Sequence, residues 1–328
     1  MSAAFPKHNF LFYFITAPRQ NREQILPRRR SRIFTARHLC YNKEKNEGES
    51  GKMEKYDPAS AAFFEPVCPL AMDAGQPDVR PIPLRRVMAR LDEHLARDDY
   101  DGAQRHLDYW LDEALRGGDR RGAFALYNEQ MGLGRKTGRR EAALEAMDRA
   151  LALAGELGYE ETAAGGTCFV NAATVCTAFG EPERALALFS RARAAYGRTL
   201  GEADERLGGL YNNMALALVE LRRFDEAFEC YEKALAIMEQ AENGEPEQAV
   251  TWLNMANAAE DSLGIEAAIE QIEEYVHKAM TLLDTPGLPR DGNYAFVCEK
   301  CAPTFDYYGQ FVYAAALRER AKSIHEGS

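Results

Sequence analysis

Residues 213–237 read NMALALVELRRFDEAFECYEKALAI. Apolar side chains recur at three- and four-residue steps on both sides of a polar break at Arg222-Arg223, which predicts two amphipathic helices joined by a short turn. The stretch lies with little adjustment over NAATVCTAFGEPERALALFSRARAA at 171–195, and again over NMANAAEDSLGIEAAIEQIEEYVHKA at 254–279. Self-similarity with a period near 42 residues predicts an array of stacked helix pairs, since one such pair cannot bury its own apolar face.

Small residues fall where paired helices should approach most closely. These are Ala173, Ala215 and Ala256 on the first helix of each unit, and Ala185, Ala227 and Ala268 on the second. Phe189 and Tyr231, four residues after their alanines, are placed to fill the space between. Further units are anchored by Ala103, Ala143 and Ala314, giving six pairs over residues 82–325 with anchor spacings of 40, 42, 42, 41 and 46. In the fifth unit Ala279 lies eleven residues after Ala268, where Ala234 lies seven after Ala227, as if one helical turn were added.

The pattern resembles the tetratricopeptide repeat, whose signature runs W-x2-L-G-x2-Y, then A-x3-F, then A. With Ala227 at the second-helix alanine, Tyr211, Met214, Ala215 and Leu218 take the first-helix positions, and Tyr231 and Ala234 complete the second. Lengthened units of this size are similar to the kinesin-light-chain type and to bacterial relatives. The resemblance implies an all-α, right-handed α-solenoid whose first helices line a concave groove.

It also implies a site. In such proteins an asparagine just before the signature leucine often bonds a bound peptide's backbone, and Asn171, Asn213 and Asn254 hold that position here. An amide suits the task because it both donates and accepts. Neighbouring positions add Asn212, Thr174 and Asn257, and in the second unit Asn128, Arg135 and Lys136 are the nearest equivalents. The same amides could instead cap turns or bridge adjacent helices. Arg135 and Lys136 towards one end, with Glu220, Glu260 and Asp261 towards the other, predict a groove whose charge changes sign along its length.

Chemistry has little support elsewhere. Cys298 and Cys301 form a Cys-x-x-Cys, but there is no second pair and the six histidines lack ligand spacing, so a zinc site is not expected. In the repeat register the two thiols fall on core positions of a first helix. Glu270, Glu273 and Glu274 read as a solvated helix face, and MGLGRKTGRR at 131–140 as a helix end and turn. No phosphate loop, nucleophile elbow or H-E-x-x-H is present. The expectation is therefore no catalytic residue, no metal and no cofactor. The aromatic run Tyr294, Phe296, Phe305, Tyr307, Tyr308, Phe311 and Tyr313 reads as either the last core layer or a second contact surface.

The formal net charge of −11 disfavours general affinity for nucleic acid or anionic membranes. That charge divides unevenly: residues 1–43 carry +8 and the remainder −19. Three readings of the basic residues 1–52 compete: a targeting peptide, a phosphate-binding arm, or a misplaced start, with Met53 opening the folded protein. The last is favoured, because Glu47-Gly48-Glu49 is encodable as a purine-rich ribosome-binding stretch; otherwise the extension is expected to be disordered. Residues 53–81 read as an irregular arm. Seven scattered cysteines and the lack of a long apolar run fit a cytoplasmic protein. Together these features predict a non-catalytic scaffold that holds a protein or peptide segment in its groove. The alternative is a regulatory solenoid that switches a partner protein when a small peptide binds.

Overall fold

The structure, a computed structural model, describes residues 79–327. Twelve helices and no strands occur among them. In chain order they are α1 (Leu84–Ala96), α2 (Tyr100–Arg116), α3 (Arg120–Thr137), α4 (Arg140–Glu156), α5 (Ala163–Ala178) and α6 (Pro182–Thr199). They continue as α7 (Glu205–Glu220), α8 (Phe224–Met238), α9 (Glu245–Leu263), α10 (Ile265–Leu283), α11 (Gly292–Tyr307) and α12 (Phe311–Gly327). The expectations for residues 1–52, and for the arm before residue 79, lie outside the described residues.

The helices form six antiparallel pairs, and in five of them the turn inside the pair has one chemistry. A residue with positive φ sits five positions before the anchor alanine: Asp98 (53°), Gly138 (70°), Gly180 (78°), Arg222 (58°) and Gly309 (79°). The next backbone N–H in each case reaches back to the carbonyl five residues earlier, for example Glu181 to Cys176 and Gln310 to Phe305, both at 2.8 Å. This left-handed closure ends the first helix, satisfies an orphan carbonyl and reverses the chain. The fifth pair departs from it: Gly264 alone (82°) separates α9 from α10, four residues before Ala268.

All six anchor alanines are buried, as are Ala173, Ala215 and Ala256 opposite them. Phe189 and Tyr231 are wholly enclosed. First helices of successive repeats touch one another (α3 with α5, α5 with α7, α7 with α9, α9 with α11), while contacts among second helices are sparser. First helices therefore form the tighter, inner layer and line the concave side.

The fifth repeat carries no inserted turn. Ala279 occupies the position eleven residues past the anchor that Ala154 and Tyr196 occupy in earlier repeats, and Tyr275 replaces the alanine at seven. At 19 residues α10 is one longer than α6; it looked extended only beside the 15-residue α8. The 46-residue spacing that follows comes from the longer connection over 284–291 together with the length of α10 beyond Ala268.

At the N-terminal end the lead-in to α1 is strapped to the α2–α3 turn. Arg80 N–H donates to the Gly117 carbonyl at 2.9 Å, and Ile82 N–H to Asp119 Oδ2 at 2.9 Å. The other oxygen of Asp119 caps α3 through Gly122 N–H at 2.8 Å. A Cβ on Gly117 would fall 2.5 Å from the Arg80 carbonyl oxygen, so glycine is what lets the strap approach. None of the helices described is long and apolar enough to cross a membrane.

Candidate functional site

The repeat register sets the groove. Counting fourteen residues back from each anchor alanine gives one position on each first helix: Ala89 on α1, Glu129 on α3, Asn171 on α5, Asn213 on α7, Asn254 on α9 and Lys300 on α11. The three expected asparagines thus share one column across the concave layer. Glu129 and Lys300 extend it, and the same count would have found them in the sequence.

Neighbouring rungs are joined by side chains. Asn171 Nδ2 donates to Asn128 Oδ1 at 3.3 Å, and Asn254 Nδ2 donates to Asn212 Oδ1 at 3.1 Å. Asn257 Oδ1 accepts from the Tyr308 hydroxyl at 2.9 Å. These amides bridge adjacent first helices. Thr174 turns its hydroxyl to the Asn171 carbonyl of its own helix, at 2.8 Å. Asn213 differs from all of them: it is buried, and neither Nδ2 nor Oδ1 has a hydrogen-bond partner. Asn212 Nδ2 and Asn171 Oδ1, on the same two helices, are likewise buried without one. A buried amide atom left in this state costs about 1–3 kcal/mol.

Charge in the groove differs from a simple change of sign. Arg135 and Lys136, in the last turn of α3, are 3% and 6% exposed. Burial lowers their pKa values to about 9 and about 8. The Lys136 ammonium lies 4.5 Å from the Tyr100 ring centre. At the far end Glu260 accepts from Tyr307 at 2.6 Å and Tyr308 at 3.0 Å, so this carboxylate ties α9 to α11. Lys300 adds a cation in the sixth repeat, beyond the acids expected in the fourth and fifth.

Glu247, in the first turn of α9, accepts from Asn293 of α11 at 2.9 Å. Burial, reinforced by the carboxylates of Glu205 and Asp291, raises its pKa to about 7. A carboxyl whose folded value exceeds its unfolded value favours folding below the unfolded pKa, and that contribution is lost as pH rises through about 7. Glu247→Gln keeps an acceptor for Asn293 without the charge. The variant is expected to match wild type near pH 5 and to exceed it by about 1–2 kcal/mol at pH 8. Urea denaturation at the two pH values measures this; an equal difference at both would refute it.

Cys298 and Cys301 are fully enclosed in α11, and burial pushes both thiols up, Cys298 to about 12. Both therefore remain protonated at neutral pH, the form that neither attacks nor ligates. Most of the C-terminal aromatic run is core: Tyr294 and Phe305 are enclosed, and Phe296 is buried beside them. Phe311 and Val312, by contrast, are 65% and 87% exposed.

Residues 206–276 match the family model of the tetratricopeptide repeat. Among solved structures, BtubC (BKLC) from P. vanneervenii is 21% identical with a TM-score of 0.54, over 63% of this chain and 83% of that one. Two structures of Podosopora anserina kinesin light chain nearly identical TPR-like repeats are 18% and 20% identical, each over 60% of this chain and 92% of theirs. Their TM-scores are 0.43 and 0.41. No match was found among the curated proteins. Residues 206–276 are thus tetratricopeptide repeats, set within a tetratricopeptide-type solenoid of six helix pairs.

Proposed function

We propose that the protein is a non-catalytic scaffold that binds a peptide or protein segment along the asparagine column of its concave groove. Tetratricopeptide repeats are in general protein-interaction scaffolds, and the reading is supported above all by Asn213. Its amide is buried with both polar atoms unpaired, directly between two asparagines of the same column. A peptide unit offers one N–H and one C=O, the complement of that amide. Asn212 Nδ2 and Asn171 Oδ1 offer a further donor and a further acceptor to the next units of an extended chain. Arg135, Lys136 and Asn257 flank this line and would set what side chains it accepts.

The unpaired state of Asn213 allows a test that separates binding from folding. Asn213→Leu replaces the amide with an apolar group of similar shape. The expected result is stability unchanged or higher by about 1 kcal/mol, because an unsatisfied buried amide is removed. Partner capture from the native host should fall at least tenfold, and further when Asn171→Ala and Asn254→Ala are added. A partner held equally by wild type and by folded triple variant would place the interface elsewhere. A marked loss of stability in Asn213→Leu would show that the amide is a structural tie.

A further inference from the structure

Between Arg116 and Ser262 no large apolar side chain among the described residues is exposed. The next five that are exposed fall on one edge of the array. Leu263, Ile265 and Ile269 are 58%, 43% and 43% exposed, and with Phe311 and Val312 they cover the turns of the fifth and sixth repeats. These two turns are neighbours, because Tyr307 and Tyr308 at the end of α11 bond Glu260 near the end of α9.

Repeat register marks these as unusual places for apolar residues. Two positions before the anchor alanine, in the first turn of the second helix, five repeats carry an acid: Asp101, Glu141, Glu183, Asp225 and Glu266. An acid there suits the positive end of the helix. The sixth repeat carries Val312 instead. One position past the anchor, Leu144, Leu186 and Phe228 are half-buried against the core, whereas Ile269 is left at the surface. Nor is the patch an unfinished end of the array. Beyond its first turn the exposed side of α12 carries Arg318, Glu319 and Lys322, the polar face that a terminal repeat needs.

We propose that this edge is where two copies of the chain meet about a two-fold axis. The five side chains leave about 600 Å² to water, the upper end of what a monomer's largest apolar patch exposes. Pairing the patch with itself buries about 1,200 Å², enough for specific association. Charge also matches. Glu266 and Glu270, exposed beside the two isoleucines, form no ion pair among the described residues. A second copy brings them Arg318 and Lys322, which its own chain holds only through surface pairs with Asp306 and Glu326. The asparagine column lies about 13 Å back along each first helix from the turn, so both grooves stay open. One dimer can then hold two segments of the same partner.

Sedimentation velocity on the full chain, from about 1 to 100 μM, reads the association. Wild type is expected to pass from monomer to dimer over that range. Val312→Glu gives the sixth repeat the acid that the other five have, so its fold should hold while the dimer weakens about tenfold or more. Ile265→Arg, the residue type that Arg140 supplies at this position in the second repeat, should act in the same way and serves if the first variant does not fold. Leu115→Glu, comparably exposed but in the first repeat, should leave the dimer unchanged. Circular dichroism checks each fold. A wild type that stays monomeric at about 100 μM overturns the proposal, whether the edge is bare or another part of the same chain covers it. A dimer that survives the folded edge variants overturns it too, as does one that Leu115→Glu dissociates. Assemblies that keep growing with concentration would do the same, because a patch shared about a two-fold axis closes at two copies.

Discussion

Tyr196→Ala should cost about 3–5 kcal/mol, among the largest losses from any single substitution in the chain. The ring is wholly enclosed in α6 and packs against the start of α5, where a Cβ on Gly166 would lie 2.5 Å from its Cδ1 and Cε1. Its hydroxyl meets Thr167 Oγ1 at 2.9 Å, and the Arg206 guanidinium of α7 lies 5.9 Å from the ring centre. One side chain therefore joins three successive helices. Alanine leaves a cavity that the flanking helices can close only by moving the third repeat against the fourth. Tyr196→Phe, which loses the hydroxyl contact alone, should cost about 1 kcal/mol. Because repeats are coupled through nearest neighbours, the alanine variant should also unfold less cooperatively, with the N-terminal repeats separating from the rest. Urea denaturation followed by circular dichroism reads both effects. A cost below about 1 kcal/mol for alanine would mean that the ring is not the wedge described.

Gly165→Ala should be the second large loss, about 3 kcal/mol, although helix propensity alone favours alanine by about 1 kcal/mol. A Cβ at Gly165 would fall 1.9 Å from the Tyr159 carbonyl oxygen. That oxygen cannot turn aside like a side chain, since it accepts from both Thr162 N–H at 2.9 Å and the Thr162 hydroxyl at 2.8 Å. Thr162 in turn caps α5 through Gly165 N–H at 3.1 Å. Displacing the carbonyl breaks that set and shifts the helix that carries Asn171. Gly197→Ala is the internal control. It lies within α6, exposed, with nothing within 4 Å of a Cβ, so alanine should stabilise by about 0.5–1 kcal/mol. Equal effects of the two substitutions would refute the packing argument.

The pair of glycines shows where sequence reasoning stops. Both are glycines in helices; the carbonyl that crowds Gly165 belongs to Tyr159, and only the path of the preceding connection brings it there. The same holds for the groove. The column of Asn171, Asn213 and Asn254 was legible because it follows from repeat register, and Lys300 and Glu129 lay within reach of the same count. Which amides bond each other was not legible. Asn254 pairs with Asn212 and Asn171 with Asn128, while Asn213, identical in register, pairs with nothing. That choice depends on how neighbouring first helices pack, which repeat register does not record.

Sequence by itself determined the helix pairs, the six anchor alanines and the core position of Cys298 and Cys301. Each is set by contacts within one repeat or between immediate neighbours, where spacing along the chain translates directly into position in space. Tertiary structure alone decided what depends on how curvature accumulates along the array. Tyr307 and Tyr308 take up Glu260 at the expected acidic end, and Asn213 is left unpaired between two asparagines of its own column. These outcomes turn on how each repeat packs against the next, which no local pattern records.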